Sequence, residues 1–189
     1  MSQALRLVVA EDEAIIRLDL VEALRGSGYE VVADCGRGDD AVQLVAEHAP
    51  DLALLDIKMP GMTGLEAARA ITAASSTAVV MLTAFSQREL IDEASDAGAM
   101  AYLIKPYQRE ELVAAIELAV ARRREAEALA GQMAALEERL DERKTIDRAK
   151  GVLMDRDGLS EADAFRFLQR GAMSGRRKMI DVAREILEQ

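Results

Sequence analysis

Short apolar runs alternate with amphipathic segments over the first 120 residues. The runs fall at residues 5–10, 30–34, 51–56, 78–83 and 99–104. Three of them (Leu-Val-Val-Ala, Leu-Ala-Leu-Leu and Ala-Val-Val-Met-Leu) are nearly continuous hydrophobes, the pattern of strands buried on both faces. Between them, Ile16, Leu20, Val21 and Leu24 follow helical spacing and end at Gly26 and Gly28. Ala67, Ala68 and Ile71 repeat that spacing, as do Leu90, Ile91 and Ala94 ahead of Gly98. Five strands alternating with five helices predict an α/β domain built on a five-stranded parallel sheet, doubly wound.

After Pro106 there is neither another proline nor a strand-like run. Leu129, Met133, Leu136 and Leu140 step by four, three and four; counting back by sevens from Met133 reaches Ala126, Ala119 and Leu112. This is a heptad seam, broken at one inward position by Arg122, and it predicts a coiled-coil helix that needs a partner, a solvated linker helix being the alternative. Three further helical patterns follow: Ile146/Ala149/Leu153, Phe165/Leu168/Ala172 and Met179/Ala183/Ile186. Asp157-Gly158 and Ser174-Gly175 separate them, and Ser160 with Asp163 forms a predicted helix cap. The expected division is therefore a domain over 1–120, a coiled-coil linker helix over 121–140 and an all-α three-helix bundle over 141–189.

Charge sharpens that division. The 189-residue chain carries a net charge of −10, which argues against a surface wrapped wholly in nucleic acid. Lys and Arg number 9 against 18 Asp and Glu over residues 1–110, 4 against 6 over 111–140, and 11 against 10 over 141–189, so only the tail is not acidic. One cysteine, Cys35, excludes an internal disulfide and suits a reducing compartment. No run approaches the roughly 18 apolar residues of a membrane span, so a cytoplasmic protein without membrane contact is expected.

The chemistry lies at the strand ends. In an open parallel sheet the ligand site sits beyond the carboxyl ends of the strands. The first strand ends in Glu11-Asp12, the third in Asp56, the fourth in Thr83 and the fifth in Lys105-Pro106. With a flavodoxin-like strand order, Glu11, Asp12 and Asp56 converge, and three mutually repelling carboxylates call for a hard divalent cation, Mg²⁺. Asp56 is the candidate nucleophile toward a phosphoryl group. Lys105 supplies a cation and Thr83 a hydroxyl for its oxygens, with the Lys105–Pro106 bond expected cis if the turn aims the ammonium inward.

Those residues, with the run from Asp56 through Lys58-Met59-Pro60-Gly61 to Gly64, resemble the receiver domain of two-component response regulators over about the first 120 residues. The resemblance implies phosphorylation of Asp56 by a sensor histidine kinase. It also implies Mg²⁺ held by Glu11, Asp12, Asp56 and the Lys58 main-chain carbonyl, and a switch through Thr83 and Tyr102. Catalytic turnover is not expected: phosphohydrolases with an aspartyl nucleophile place an acid two residues on, and Lys58 stands there.

In the tail, Arg143, Lys144, Arg148 and Lys150 share one half of a helical wheel, while Arg176-Arg177-Lys178 are expected to open the last helix, where its dipole disfavours cations. Both groups are candidate contacts for a nucleic-acid backbone. Phe165 shares a side with Leu168 and Ala172 and is expected in the core, leaving Phe167 to meet a base or a second subunit. The pattern Ala149-Lys150-Gly151-Val152-Leu153-Met154, Glu161, Ala164-Phe165, Leu168, Ala172-Met173 and Arg177-Lys178 with Val182-Ala183 resembles the ANTAR domain over about residues 136–187. That resemblance implies dimers that bind RNA hairpins and act in transcription antitermination. The alternatives are a DNA-binding transcriptional response regulator and a phosphorylation-driven dimerising adaptor.

Overall fold

The structure is a computed structural model describing residues 4–84 and 93–188. It falls into two compact units, residues 1–127 and 128–189.

In the first unit the elements alternate: β1 (Arg6–Ala10), α1 (Ala14–Gly26), β2 (Glu30–Cys35), α2 (Gly38–His48), β3 (Leu52–Asp56), α3 (Gly64–Ala74), β4 (Ala78–Thr83) and β5 (Ala101–Ile104). Residues 93–96 are helical; Leu90 and Ile91, which the apolar spacing assigns to the same helix, lie outside the described residues. The five strands are all parallel in the order β2-β1-β3-β4-β5, the flavodoxin-like arrangement. Leu7, Val9, Val80 and Leu82 face one core with Leu20, Val21 and Leu24 of α1. Their neighbours Val8, Ala10, Val79 and Met81 face the other, with Val45 of α2 and Leu65 and Ile71 of α3. Successive side chains on a strand point to opposite faces. An apolar residue at every position is therefore the composition that two helical layers demand.

The next element, α4 (Arg109–Asp157), is one continuous helix of 49 residues. Its composition changes along its length, but its backbone does not break at 120/121 or 140/141. Leu112, Ile116, Ala119 and Val120 pack into the first core beside α1. Arg122 donates to the Met100 carbonyl at 2.6 Å, which uses the cation that interrupts the seam. In the stretch 121–140 every residue but Arg123 is exposed.

The second unit joins the C-terminal part of α4 to α5 (Glu161–Gly175) and α6 (Met179–Leu187). Ala149 and Leu153, Ala164, Leu168 and Ala172, and Val182, Ala183 and Ile186 form its core. Ser160 caps α5 as predicted, its hydroxyl oxygen accepting from the Asp163 N–H at 3.2 Å. Phe165 departs from expectation: it is 42% exposed. The buried line on α5 is Ala164/Leu168/Ala172, whose small members let helices approach closely and leave a ring one residue along on the flank.

Leu168 is fully buried in this small core. Truncating it to Ala should cost the second unit about 3 kcal/mol, read as an earlier urea transition by circular dichroism.

Candidate functional site

The strand order assembles the site. β1 and β3 are neighbours through Ala10 and Leu55, and β4 lies beside β3 with Asp56 opposite Leu82. Asp56 and Thr83 are the last residues of their strands. The ladder runs just past the sheet: the Glu11 N–H donates to the Cys35 carbonyl (3.0 Å), the Ile57 N–H to Leu82 (3.1 Å) and the Lys105 N–H to Thr83 (2.7 Å). Each functional residue therefore sits on backbone that the sheet has already fixed.

Between Asp56 and α3 the chain turns tightly. A Cβ on Gly64 would lie 1.9 Å from the Asp56 carbonyl oxygen, so only glycine permits this approach. Thr63 caps α3 reciprocally, accepting from the Glu66 N–H while its own N–H donates to the Glu66 carboxylate. The turn between β1 and α1 is held by Arg17, whose Nη1 donates to the Glu11 carbonyl (2.5 Å) and Nε to Asp34 (3.0 Å). Sequence reasoning missed Arg17. Its signal was a cation in the first turns of a helix, where the dipole disfavours one.

Glu11 is fully buried and Asp56 nearly so. Oxygens of Glu11, Asp12 and Asp56 lie within 4.8 Å of one another. Lys105 Nζ is 2.5 Å from Glu11 Oε2 and 3.2 Å from Asp56 Oδ2. Burial pushes the Glu11 carboxyl above its usual range; Lys105 opposes the rise and the Asp56 charge adds to it. Asp56 is likewise raised by burial, opposed by Lys105 and reinforced by Asp12. Burial acts to lower the Lys105 ammonium, but the two carboxylates outweigh it and the net direction is up. Three carboxylates against one ammonium leave two negative charges uncompensated. An all-oxygen donor set with that deficit fits a hard divalent cation.

The cluster opens on a cleft of about 260 Å³ where Asp12, Asp56, Lys58, Thr83 and Lys105 meet. Tyr102 stands apart. It is half-exposed on β5 and borders a separate depression with Ser95, Met100 and Arg122. The Lys105–Pro106 bond is cis.

In the second unit the cations divide. Arg143, Lys144 and Arg148 are exposed on α4, whereas Lys150 is held by Asp147 and Glu161, each at 2.8 Å. Arg177 makes a two-pronged pair with Glu185. The expectation that Arg176, Arg177 and Lys178 all open the last helix is corrected. Arg176 closes α5 in the left-handed conformation (φ 49°), its N–H donating to the Met173 carbonyl, at a helix end that favours cations. Lys178 alone caps α6, its N–H donating to the Asp181 carboxylate at 3.2 Å.

The response regulator receiver domain model matches residues 7–117, and the ANTAR domain model matches residues 134–187. The chain belongs to the response regulators that join a receiver domain to an ANTAR domain. It is 51% identical over 183 residues to the transcriptional regulatory protein PdtaR of Mycobacterium tuberculosis, covering 97% of this chain and 89% of that one. Over 112 residues it is 35% identical to the chemotaxis protein CheY of Bacillus subtilis, 59% of this chain and 93% of that. Among solved structures, the receiver domain of the M. tuberculosis response regulator NarL superposes with a TM-score of 0.61 at 32% identity, covering 64% of this chain and 98% of that one.

The raised carboxyls of Glu11 and Asp56 mean that the folded state holds their protons more tightly than the unfolded state does. Their ionisation therefore costs stability at neutral pH, and the cost disappears once pH falls below the ordinary carboxylate range. In metal-free buffer Asp56→Asn should melt above the native chain at pH 7.5 (about pH 7–8), with the gap closing toward about pH 4. A lower melting temperature at neutral pH would contradict this reading.

Proposed function

We propose that this chain is a phosphorylation-controlled RNA-binding regulator in which Asp56 takes a phosphoryl group from a sensor histidine kinase and the ANTAR domain binds RNA hairpins to control transcription antitermination. The carrying observation is the Glu11–Asp12–Asp56–Lys105 cluster in a chain that also contains an ANTAR domain. That domain favours RNA over the DNA-binding and protein-only alternatives.

The side chains of Glu11, Asp12 and Asp56 and the carbonyl of Lys58 would hold Mg²⁺, which when bound supplies positive charge for the carboxylates and the incoming phosphoryl oxygens. A carboxylate oxygen of Asp56 attacks phosphorus, the bond to the kinase histidine breaks, and the imidazole leaves with its electron pair. The acyl phosphate brings about −1.5 to −2 charge to the strand tip. Lys105, already within 3.2 Å of Asp56, pivots from Glu11 toward the new oxygens, and the Thr83 hydroxyl donates to one of them. Tyr102, beside Arg122 of α4, is placed to relay the shift. With Lys58 where a proton donor would be needed, the chain stores the phosphoryl group and does not turn over phosphomonoesters.

The output depends on pairing. Leu129, Met133, Leu136 and Leu140 are 54–63% exposed, and large apolar residues at heptad spacing on a solvated helix fit a second copy of the same helix. Among the described residues no helix is long and apolar enough to cross a membrane. A kinase and a nascent transcript as partners assign the protein to the cytoplasm.

With radiolabelled acetyl phosphate, the native chain should incorporate label only in the presence of Mg²⁺, and phosphorylation should tighten hairpin RNA binding by about tenfold, equivalent to about 1.4 kcal/mol. Asp56→Asn should take up no label and show no tightening; undiminished labelling would place the acceptor elsewhere. Leu136→Glu should keep labelling intact while reducing the phosphorylated dimer to monomer in analytical ultracentrifugation. A dimer that survives the substitution would remove the seam from the mechanism.

A further inference from the structure

We propose that a cleft between α4 and α5 takes one unpaired nucleobase of the bound RNA, with Phe165 as its stacking surface; this rests on the RNA-binding reading and names the site that performs it. The cleft, of about 390 Å³, lies wholly within the second unit. Phe165 and Ile146 form its apolar part, and residues 139, 142, 143, 146, 147 and 150 line it from a single face of α4, at the three- and four-residue spacing that makes helix neighbours. The ring is 42% exposed although an apolar core lies close by. Phe165 and Phe167 are the only aromatic residues beyond Tyr107, so any stacking by this domain must use one of them.

The charges select a base over a bare phosphate. Lys150 is already engaged by Asp147 and by Glu161 of α5, which fixes the wall next to the ring. Arg139 and Glu142 have no ion-pair partner among the described residues, and Arg143 reaches Asp147 only at 3.9 Å. The Glu142 carboxylate, which lines the cleft together with Arg139 and Arg143, repels a phosphate placed on it, yet accepts from the N–H donors on a base's Watson–Crick edge. The flanking phosphates then fall to Arg139 and Arg143. Unstacked bases laid on an aromatic ring and read along that edge are the usual means of recognising single-stranded loops. The heptad count places Arg143 and Asp147 at the next inward positions after Leu140, so the apolar pairing surface stops where the cleft begins.

The test uses the phosphorylated full chain and a pool of short RNA hairpins with one constant stem and a randomised loop. Phe165→Ala should weaken binding of the loops that the native chain enriches by about tenfold, and Phe165→Tyr by less than about twofold. Phe167→Ala should leave binding unchanged. An abasic nucleotide at one position of an enriched loop should weaken the native chain by the same factor and Phe165→Ala no further. Glu142→Gln, an isosteric change at a half-buried side chain, should change which loops are enriched. Equal binding by well-folded Phe165→Ala, or a loss indifferent to loop sequence, overturns the base site but leaves RNA binding standing. An unchanged loop preference in Glu142→Gln overturns its assigned role, and dissociation of the dimer by Phe165→Ala with no effect on RNA makes the cleft a protein interface. Failure of the native chain to bind any hairpin removes the RNA reading itself.

Discussion

The controlling constraint is electrostatic. A parallel sheet covered by helices on both faces delivers the ends of β1 and β3 side by side, and with them three carboxylates that would separate in solution. One ammonium stands among them, at 2.5 Å from Glu11 and 3.2 Å from Asp56. The packed sheet supplies the energy for this crowding: Val8, Ala10, Leu54 and Leu55 are fully buried, and their burial holds the charged turns where they lie. A site under this tension responds strongly to any change in charge. Under the proposed function a divalent cation would relieve it, and an acyl phosphate on Asp56 would give Lys105 a better partner than the one it has.

The devices surrounding the cluster serve the same end without touching a ligand. Arg17 ties the Glu11 carbonyl to Asp34. Gly64 lets α3 begin directly against the Asp56 backbone. Thr63 and Glu66 close the helix end next to it. These contacts fix backbone, leaving the Lys105 side chain as the group whose partners can change. A switch needs that division, since a carboxylate cluster on loose turns would dissipate its repulsion by moving apart.

How much was legible in the sequence follows from which forces are local. Strand placement came from apolar runs, nearly unbroken in the three strands buried on both faces, whereas strand order was taken from the flavodoxin-like arrangement. The strand-end residues Glu11, Asp56, Thr83 and Lys105 could be read once topology said that strand ends meet. Arg17 offered only the weak signal of a cation where a helix dipole disfavours one, since its role depends on reaching across to Asp34. Phe165 was misplaced because helical periodicity gives a direction only to within about a residue, and Ala164 takes the inner position where close helix approach favours a small side chain. The Arg176–Lys178 triplet was misread because the two helices meet within it: a left-handed residue at Arg176 ends one helix three residues before the next begins at Met179. Ion pairing across elements, as at Lys150–Glu161 and Arg177–Glu185, is equally invisible in a list of charges.

That pairing bears on how the tail would recognise RNA under the proposed function. Residues 141–189 carry 11 cations against 10 acids, and two of the candidate contacts, Lys150 and Arg177, are engaged within the protein. Sequence-independent attraction to phosphate scales with the number of counterions a binding surface releases, so this unit has little of it to use. A strongly basic surface would grip any transcript and make selection slow; a nearly neutral one must find its affinity in shape, stacking and base-edge contacts. Pairing two such weak units through one helical seam, as the proposed function has it, would multiply their binding by effective concentration. Under the proposed function, control of that pairing by a phosphoryl group would change affinity without changing a single RNA contact.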